Sequence, residues 1–223
     1  MLRFDLHVHS NFSRDGYDPI DSILKRAEEI GLNGIAITDH NTIEGGLTGI
    51  KRARALGLDL MVIPGVEVST AEGHLVALGI TKDIPPDLPV DETIKIAKDL
   101  GGIIIVPHPF HPFRHGLGYI PKDVDAIEVY NSRCITGYSN GRARDAAARM
   151  GISMVAGSDA HTAATIGYAI TELNAKPLMN EVLDAIKTGD TKIRGKKIPL
   201  HIFAKQALRG VPRRVHRFIS KHC

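Results

Sequence analysis

The sequence has no tryptophan and only two cysteines, Cys134 and Cys223, among 223 residues. They form no C-x-x-C and no paired framework, which excludes a disulfide-stapled scaffold and a thiolate zinc site. No apolar run reaches the roughly 18 residues that a membrane helix needs, and Arg3, Asp5 and His7 interrupt the start. Neither a membrane span nor a signal peptide is therefore expected, and the expected location is the cytoplasm. Acidic residues are missing from one end. From Thr191 onward there are ten basic residues and no acidic one, so eighteen of the 28 basic residues and all 25 acidic ones precede it, a formal balance of about −7 on the body. The apolar share of 43% and charged share of 24% are those of an ordinary globular chain, long enough for one α/β barrel.

What is present is a regular rhythm. Leu2, Phe4, Leu6 and Val8 alternate with Arg3, Asp5, His7 and His9, the period of a strand. A loop follows, and Asp18-Pro19 reads as an N-cap with proline at the first helical position, before Ile20, Ile23, Leu24 and Ala27 at helical spacing. Strands are then expected at 34–38, 58–68, from His74, 102–106, 126–130, 153–156 and 166–173, the last of the series. Helices are expected at 43–56, 91–100, 138–150 and 177–187. Strand then helix, about seven times, argues for a parallel sheet wrapped by helices. His7, His9, Asp39, His40, Glu67, His108, Asp159 and His161 all fall at or just after C-terminal strand ends. A closed barrel gathers those ends on one mouth, which favours it over an open sheet.

His7 and His9 point the same way from one strand, with backbones roughly 6–7 Å apart, and can converge on one ion. Imidazoles and carboxylates without cysteine suit Zn(II), Mn(II) or Fe(II), and eight such residues exceed the donors one ion takes. More than one divalent ion is implied. Clustered ions suit phosphoester cleavage, because they activate water and neutralise the phosphoryl oxygens. Each residue alone has an ordinary reading: Asp39 and Asp15 as turn caps, His74 facing solvent, Glu67 paired with a lysine. Their joint recurrence at strand ends does not.

The motifs His7-Val8-His9-Ser10, Asp15-Gly16, Thr38-Asp39-His40-Asn41-Thr42, Gly65-Val66-Glu67-Val68-Ser69, His108-Pro109 and Gly157-Ser158-Asp159-Ala160-His161, in this order, resemble those of the polymerase and histidinol phosphatase (PHP) superfamily. The resemblance implies a distorted seven-stranded (β/α)7 TIM-like barrel over residues 1–194 with a trinuclear metal site. By it, His7, His9, Glu67 and Asp159 hold one ion, Asp15, His40 and His161 a second, and Glu67 bridges to a third with His74 and His108. An aspartate at position 15, where many members have histidine, resembles the branch of 3′,5′-nucleoside bisphosphate phosphatases and RNase AM. That branch carries an inserted subdomain before the His-Pro motif, for which the 33 residues between His74 and His108 leave no room.

The expected function is a metal-dependent phosphoesterase acting on a phosphomonoester or nucleotide-type phosphoester by attack of a metal-bridging hydroxide. An amide or lactone hydrolase on the same centre is the alternative among enzymes, and a nucleic-acid-binding accessory protein the alternative outside them. Asp39, Asp159 and His161 are assigned as the catalytic set, Asp39 by orienting an imidazole. Glu128, Asn131 and Arg133 near a strand end, with His111 and Arg114 on the loop after His108, are the expected substrate contacts, Arg133 offering a planar fork to phosphate. A solvated charge at Arg133 and plain aromatic packing by Phe110 and Phe113 compete with that. Residues 195–223 read as a basic amphipathic extension with Val211, Val215, Phe218 and Ile219 at helical spacing. It either docks on the acidic body or contacts nucleic acid or a membrane surface.

Overall fold

In the computed structural model, which describes residues 1–134, 136–199 and 202, the chain alternates strands and helices around one nine-stranded mixed sheet. The strands are β1 (Leu2–Val8), β2 (Gly34–Ile37), β3 (Met61–Ser69), β4 (His74–Leu78), β5 (Ile103–Val106), β6 (Ala126–Asn131), β7 (Ser153–Gly157), β8 (Ala169–Leu173) and β9 (Thr191–Gly195). The helices are α1 (Ile20–Glu29), α2 (Glu44–Leu56), α3 (Val90–Asp99), α4 (Tyr138–Met150) and α5 (Met179–Thr188). The sheet order is β7-β6-β5-β4-β3-β2-β1-β8-β9. Its two ends curl together, β7 packing on β1, β8 and β9. The seam is stitched by His9 N–H on Ala160 O at 2.8 Å and Ala160 N–H on His7 O at 3.2 Å. Thr171 adds to it, its hydroxyl accepting from Ala156 N–H at 2.8 Å and donating to Ala156 O at 3.0 Å. The result is an α/β fold with a nearly closed, barrel-like sheet.

Buried apolar residues recur where the periods placed them. Ile20, Ile23, Leu24 and Ala27 of α1 pack on Val8, Ile35 and Ile37, while Val182, Ala185 and Ile186 of α5 join Phe4, Leu6, Ala36, Ile63 and Val155. Each fully buried side chain of this size contributes about 1.5–3 kcal/mol. Helix α2 sits unusually close to the sheet: a Cβ on Gly46 would lie 2.8 Å from Pro64 Cα.

Three expectations change. The pairings β1–β2, β2–β3, β5–β6 and β6–β7 are parallel, but β3–β4, β4–β5, β1–β8 and β8–β9 are antiparallel, so the sheet is not a uniform seven-strand parallel array. The reason is local: four residues between β3 and β4 allow a hairpin and no crossover helix. Residues 166–173 do not hold the last strand, since β9 follows; Lys192 and Arg194 gave it the look of the basic tail. Asp18 does not cap α1. Pro19 is the N-cap residue of α1, and Asp18 accepts instead from Ala163 N–H at 2.6 Å. The chain stays on the body past β9, with Ile198 buried. The expected amphipathic helix around Val211–Ile219 lies outside the described residues. No described helix is long and apolar enough to cross a membrane.

Candidate metal centre

One rim of the sheet collects the donors. Parallel β1, β2, β5 and β7 end there and deliver His7, His9, His40, His108, Asp159 and His161. The loop after β1 supplies Asp15. His74 opens its strand, and reaches the same rim because β4 runs antiparallel to β3, pairing His74 with Ser69 beyond Glu67. Backbone strain marks the turns that aim the donors: His108 (φ 32°) and Asp159 (φ 52°) both adopt the left-handed region that non-glycine residues rarely visit. At Gly157 a Cβ would fall 2.3 Å from His7 Cβ, so only glycine lets β7 approach β1 here.

Glu67 is the hub. Its Oε1 lies 2.9 Å from His74 Nδ1 and 3.1 Å from His108 Nε2. Its Oε2 lies 3.3 Å from His7 Nε2, 3.2 Å from His9 Nε2 and 3.4 Å from His40 Nδ1. Asp15 Oδ2 stands 3.1 Å from His161 Nε2 and 3.5 Å from His40 Nε2, and Asp159 Oδ1 3.6 Å from His9 Nε2. Four overlapping groups with ligand atoms in mutual reach follow: His9, Asp15, His40 and His161; His7, His9 and Asp159; His7, Glu67 and His108; His40, Glu67 and His74. All nine residues expected as metal ligands are thus brought together, with His7, His9, His40 and Glu67 each shared between groups.

The donor set fits divalent cations. His9 Nε2, His40 Nδ1 and His108 Nδ1 are buried without a hydrogen-bond partner, an arrangement that costs free energy unless something else takes up the lone pair or proton. Burial, with Arg133 and His9 beside it, pushes the His161 pKa down to about 3, so this ring is the neutral form a cation requires. Burial alone would also lower His7, but Glu128, Glu67 and Asp159 outweigh it and hold it well above the usual imidazole range; Glu67 and Asp15 likewise outweigh burial at His40 and raise it. The carboxylates respond in kind. Despite burial, the surrounding imidazoles hold Glu67, and Arg114 and Arg133 hold Asp159, well below the usual carboxylate range. The shifts are mutual: the carboxylates hold protons on His7 and His40, and the neighbouring imidazole and guanidinium groups keep Glu67 and Asp159 ionised.

Several expected roles change place. Glu128 and Asn131, expected as substrate contacts, are hydrogen-bonded to the ligand residues. Both are buried below the cluster, with Glu128 Oε1 3.0 Å from His7 Nδ1 and Glu128 Oε2 accepting from His108 N–H and Asn131 Nδ2, each at 2.9 Å. A carboxylate on Nδ1 fixes the tautomer that leaves Nε2 free for a metal. Asp39 touches no imidazole by hydrogen bond. It accepts from Ser10 N–H and Ser10 Oγ, both at 2.6 Å, and so pins the turn that follows His9. Arg114 and Arg133 flank Asp159 at the mouth, at 2.8 Å from Oδ2 and 3.7 Å from Oδ1, and Arg133 also lies 2.5 Å from His161 Nδ1. Half-buried His111 lies within the field of Arg114, His108 and Asp159, and accepts from Phe113 N–H at 3.3 Å.

Sequence reasoning missed Asp5, Ser10 and Ser13. Asp5 is fully buried and accepts from Ser158 N–H (2.9 Å), Ser158 Oγ (2.5 Å) and Gly167 N–H (2.8 Å), tying β1 to the turn that carries Asp159. Ser13 Oγ donates to Asp15 Oδ1 at 3.0 Å and accepts from His40 N–H at 3.2 Å. The only signal for Asp5 was its place in the His7/His9 alternation.

A barrel-like mixed sheet with a buried, carboxylate-centred imidazole cluster at its rim defines a class of metal-dependent hydrolase folds. A family model described as PHP-associated matches residues 137–191. An uncharacterized Methanocaldococcus jannaschii protein, MJ1587, is 36% identical over 143 residues, 59% of this chain and 82% of the relative. The 5′-3′ exoribonuclease Rnm of Escherichia coli is 38% identical over 81 residues, 34% of this chain and 27% of the relative. Among solved structures, a two-domain Bacteroides vulgatus protein containing a PHP-like metal-dependent phosphoesterase superposes with a TM-score of 0.73 at 20% identity, covering 87% of this chain and 64% of that one. The chain belongs to the PHP superfamily.

Proposed function

We propose that the chain is a metal-dependent phosphoesterase acting on a phosphomonoester or a nucleotide-type phosphoester. The observation that carries this reading is the pairing of a nine-donor cluster with two guanidiniums on its open side. His7, His9, Glu67 and Asp159 hold one cation in this reading, Asp15, His40 and His161 a second, and Glu67, His74 and His108 a third. Bound Zn, Mn or Fe supplies an activated water and neutralises charge on the phosphoryl oxygens. The chain's own groups do the rest. Arg133, whose Nε is buried without a hydrogen-bond partner, and Arg114, with donors beyond the one on Asp159, take the non-reacting phosphoryl oxygens. Asp159 and His161 stand in the reacting shell, Asp39 and Glu128 act as positioning residues, and His111 lines the approach.

Two cationic forks favour an anionic substrate over the neutral amide or lactone of the alternative reading, because both share the single carboxylate of Asp159 and a phosphoryl group adds the negative charge that a neutral carbonyl does not. The exoribonuclease relative adds a nucleic-acid strand to the substrates worth testing. Residues 1–194 form the catalytic unit in this proposal and 195–223 a basic extension packed on it, with contact to nucleic-acid phosphates as the alternative role. The test is metal analysis of protein purified without chelator, followed by turnover of p-nitrophenyl phosphate, bis(p-nitrophenyl) phosphate and p-nitroacetanilide. Phosphoester turnover lost in His9→Ala and Asp159→Asn is expected. Amide turnover alone, or activity retained in either variant, refutes it.

A further inference from the structure

Every exposed aromatic among the described residues lies in a segment that follows the rim end of a strand. Phe12 follows β1, Phe113 and Tyr119 follow β5, and Tyr138 opens α4 after β6, with 40%, 88%, 43% and 71% of their surface exposed. The other exposed large apolar residues, Met1, Met150 and Leu178, are all aliphatic. An aromatic ring gains most of its folding free energy by burial, so a phenyl left 88% exposed contributes little to stability where it stands.

Phe113 is also held in place. His111 N–H donates to His108 O at 3.0 Å, Gly118 N–H to Pro109 O at 2.8 Å and His74 N–H to His115 O at 2.9 Å, so both sides of the loop are tied to residues of the cluster. Gly116 packs so tightly that a Cβ there would sit 2.6 Å from His108 O. The ring of Phe113 stands edge-on to His111, centroids 6.4 Å apart. The next residue in the chain, Arg114, reaches Asp159 at 2.8 Å. One loop therefore presents a phosphate-binding fork and, one peptide away (about 3.8 Å between Cα atoms), a bare aromatic face.

We infer that Phe113 is a stacking platform for the base of a nucleotide whose phosphoryl group sits at Arg114, Arg133 and the metal centre. This rests on the phosphoesterase reading and sharpens it. A flat heterocycle joined to a phosphate through a sugar matches the pairing of ring face and guanidinium; a sugar phosphate or an aliphatic phosphoester gives the ring nothing to stack on. A free mononucleotide and the phosphorylated end of a single strand share this chemistry.

The experiment is calorimetric binding to the full-length, manganese-loaded protein. The probes are the slowly hydrolysed methylene-phosphonate analogues of AMP and of ribose 5-phosphate, with a 5′-methylene-phosphonate tetraadenylate as a third. Wild type is expected to bind the AMP analogue more tightly than the base-free one. Phe113→Ala is expected to cut that preference about tenfold, as loss of one base–aromatic stack does; Phe113→Tyr restores it, and Met150→Ala, at the far end of α4, leaves it as in wild type. A loss for AMP identifies a free nucleotide as the ligand and a loss for the tetraadenylate alone a strand end; either supports the platform. No preference for a base in wild type, or the same preference in Phe113→Ala, overturns it. Turnover of the phosphoester panel reports separately on the underlying reading, so failure of one is visible apart from failure of the other.

Discussion

Glu128→Gln swaps one atom and tests how the centre is built. The carboxylate takes three donors: His7 Nδ1 at Oε1, and His108 N–H and Asn131 Nδ2 at Oε2. An amide cannot serve all three. If its oxygen stays on His7, its NH2 faces two donors, leaving buried hydrogens unpaired at about 1–3 kcal/mol each. If it flips, the NH2 meets His7 Nδ1, which must then accept, moving the ring proton to Nε2 and blocking the atom aimed at the metal. Either outcome weakens metal binding, and partners of this kind are worth about 10–100-fold in affinity. Where metal is in excess of its Kd, the variant therefore loses about 1.4–2.7 kcal/mol of metal-dependent stabilisation. The assay is denaturant unfolding of wild type and variant, each chelator-treated and reloaded with manganese. A variant that is destabilised without metal yet gains as much as wild type on reloading refutes the role of Glu128 as the group that fixes His7.

Further outcomes follow from other buried groups. Burial outweighs the hydrogen bonds to Asp5 and lifts its pKa to about 6 in the folded chain, against about 4 unfolded, so the folded state holds the proton more tightly. Its contribution is thus fully present below pH 4 and is lost as pH rises through 6, a decline of about 3 kcal/mol; in metal-free urea unfolding between pH 4 and 7, Asp5→Asn should show a correspondingly smaller decline, and parallel curves count against it. Ser10→Ala leaves one oxygen of buried Asp39 unpaired and should cost about 1.5–3 kcal/mol of unfolding free energy, with a matching loss of metal affinity if the turn after His9 shifts. Arg133→Lys keeps the charge and loses the fork; KM for a phosphoester should rise about tenfold with a smaller change in kcat, and an unchanged KM would remove Arg133 from the substrate.

The ligand series was legible because a parallel strand ends where its neighbour ends, so residues scattered from His7 to His161 needed only a common direction to meet. Asp15, on a loop, and His74, opening an antiparallel strand, followed from the family motif and not from that geometry. What sequence position could not tell was height within the barrel. Glu128 and Asn131 end β6 much as His108 follows β5, yet they lie beneath the cluster with their polar atoms occupied, because position along a strand leaves open whether a side chain meets solvent or another side chain. Asp5 was hidden for a related reason. Alternation with Leu2, Phe4, Leu6 and Val8 is the pattern of a half-exposed strand, whereas the stretch from Phe4 to Val8 is buried on both faces. Likewise β9 carries two basic residues in five, which reads as tail until its partner β8 is in view.

The seam explains why the missed residues matter. Val8 bridges to Ala160, and Asp5 holds Ser158 and Gly167, joining β1 to residues more than 150 positions later. Asp159 and His161 meet His7 and His9 only once that contact has formed. The polar seam and the cluster are therefore one construction: a buried carboxylate that apolar packing would exclude is kept because its three donors from Ser158 and Gly167 set the turn on which the last two ligands stand. Loss of closure and loss of the metal centre should be inseparable, whereas damage to the α1 or α3 packing need only lower stability.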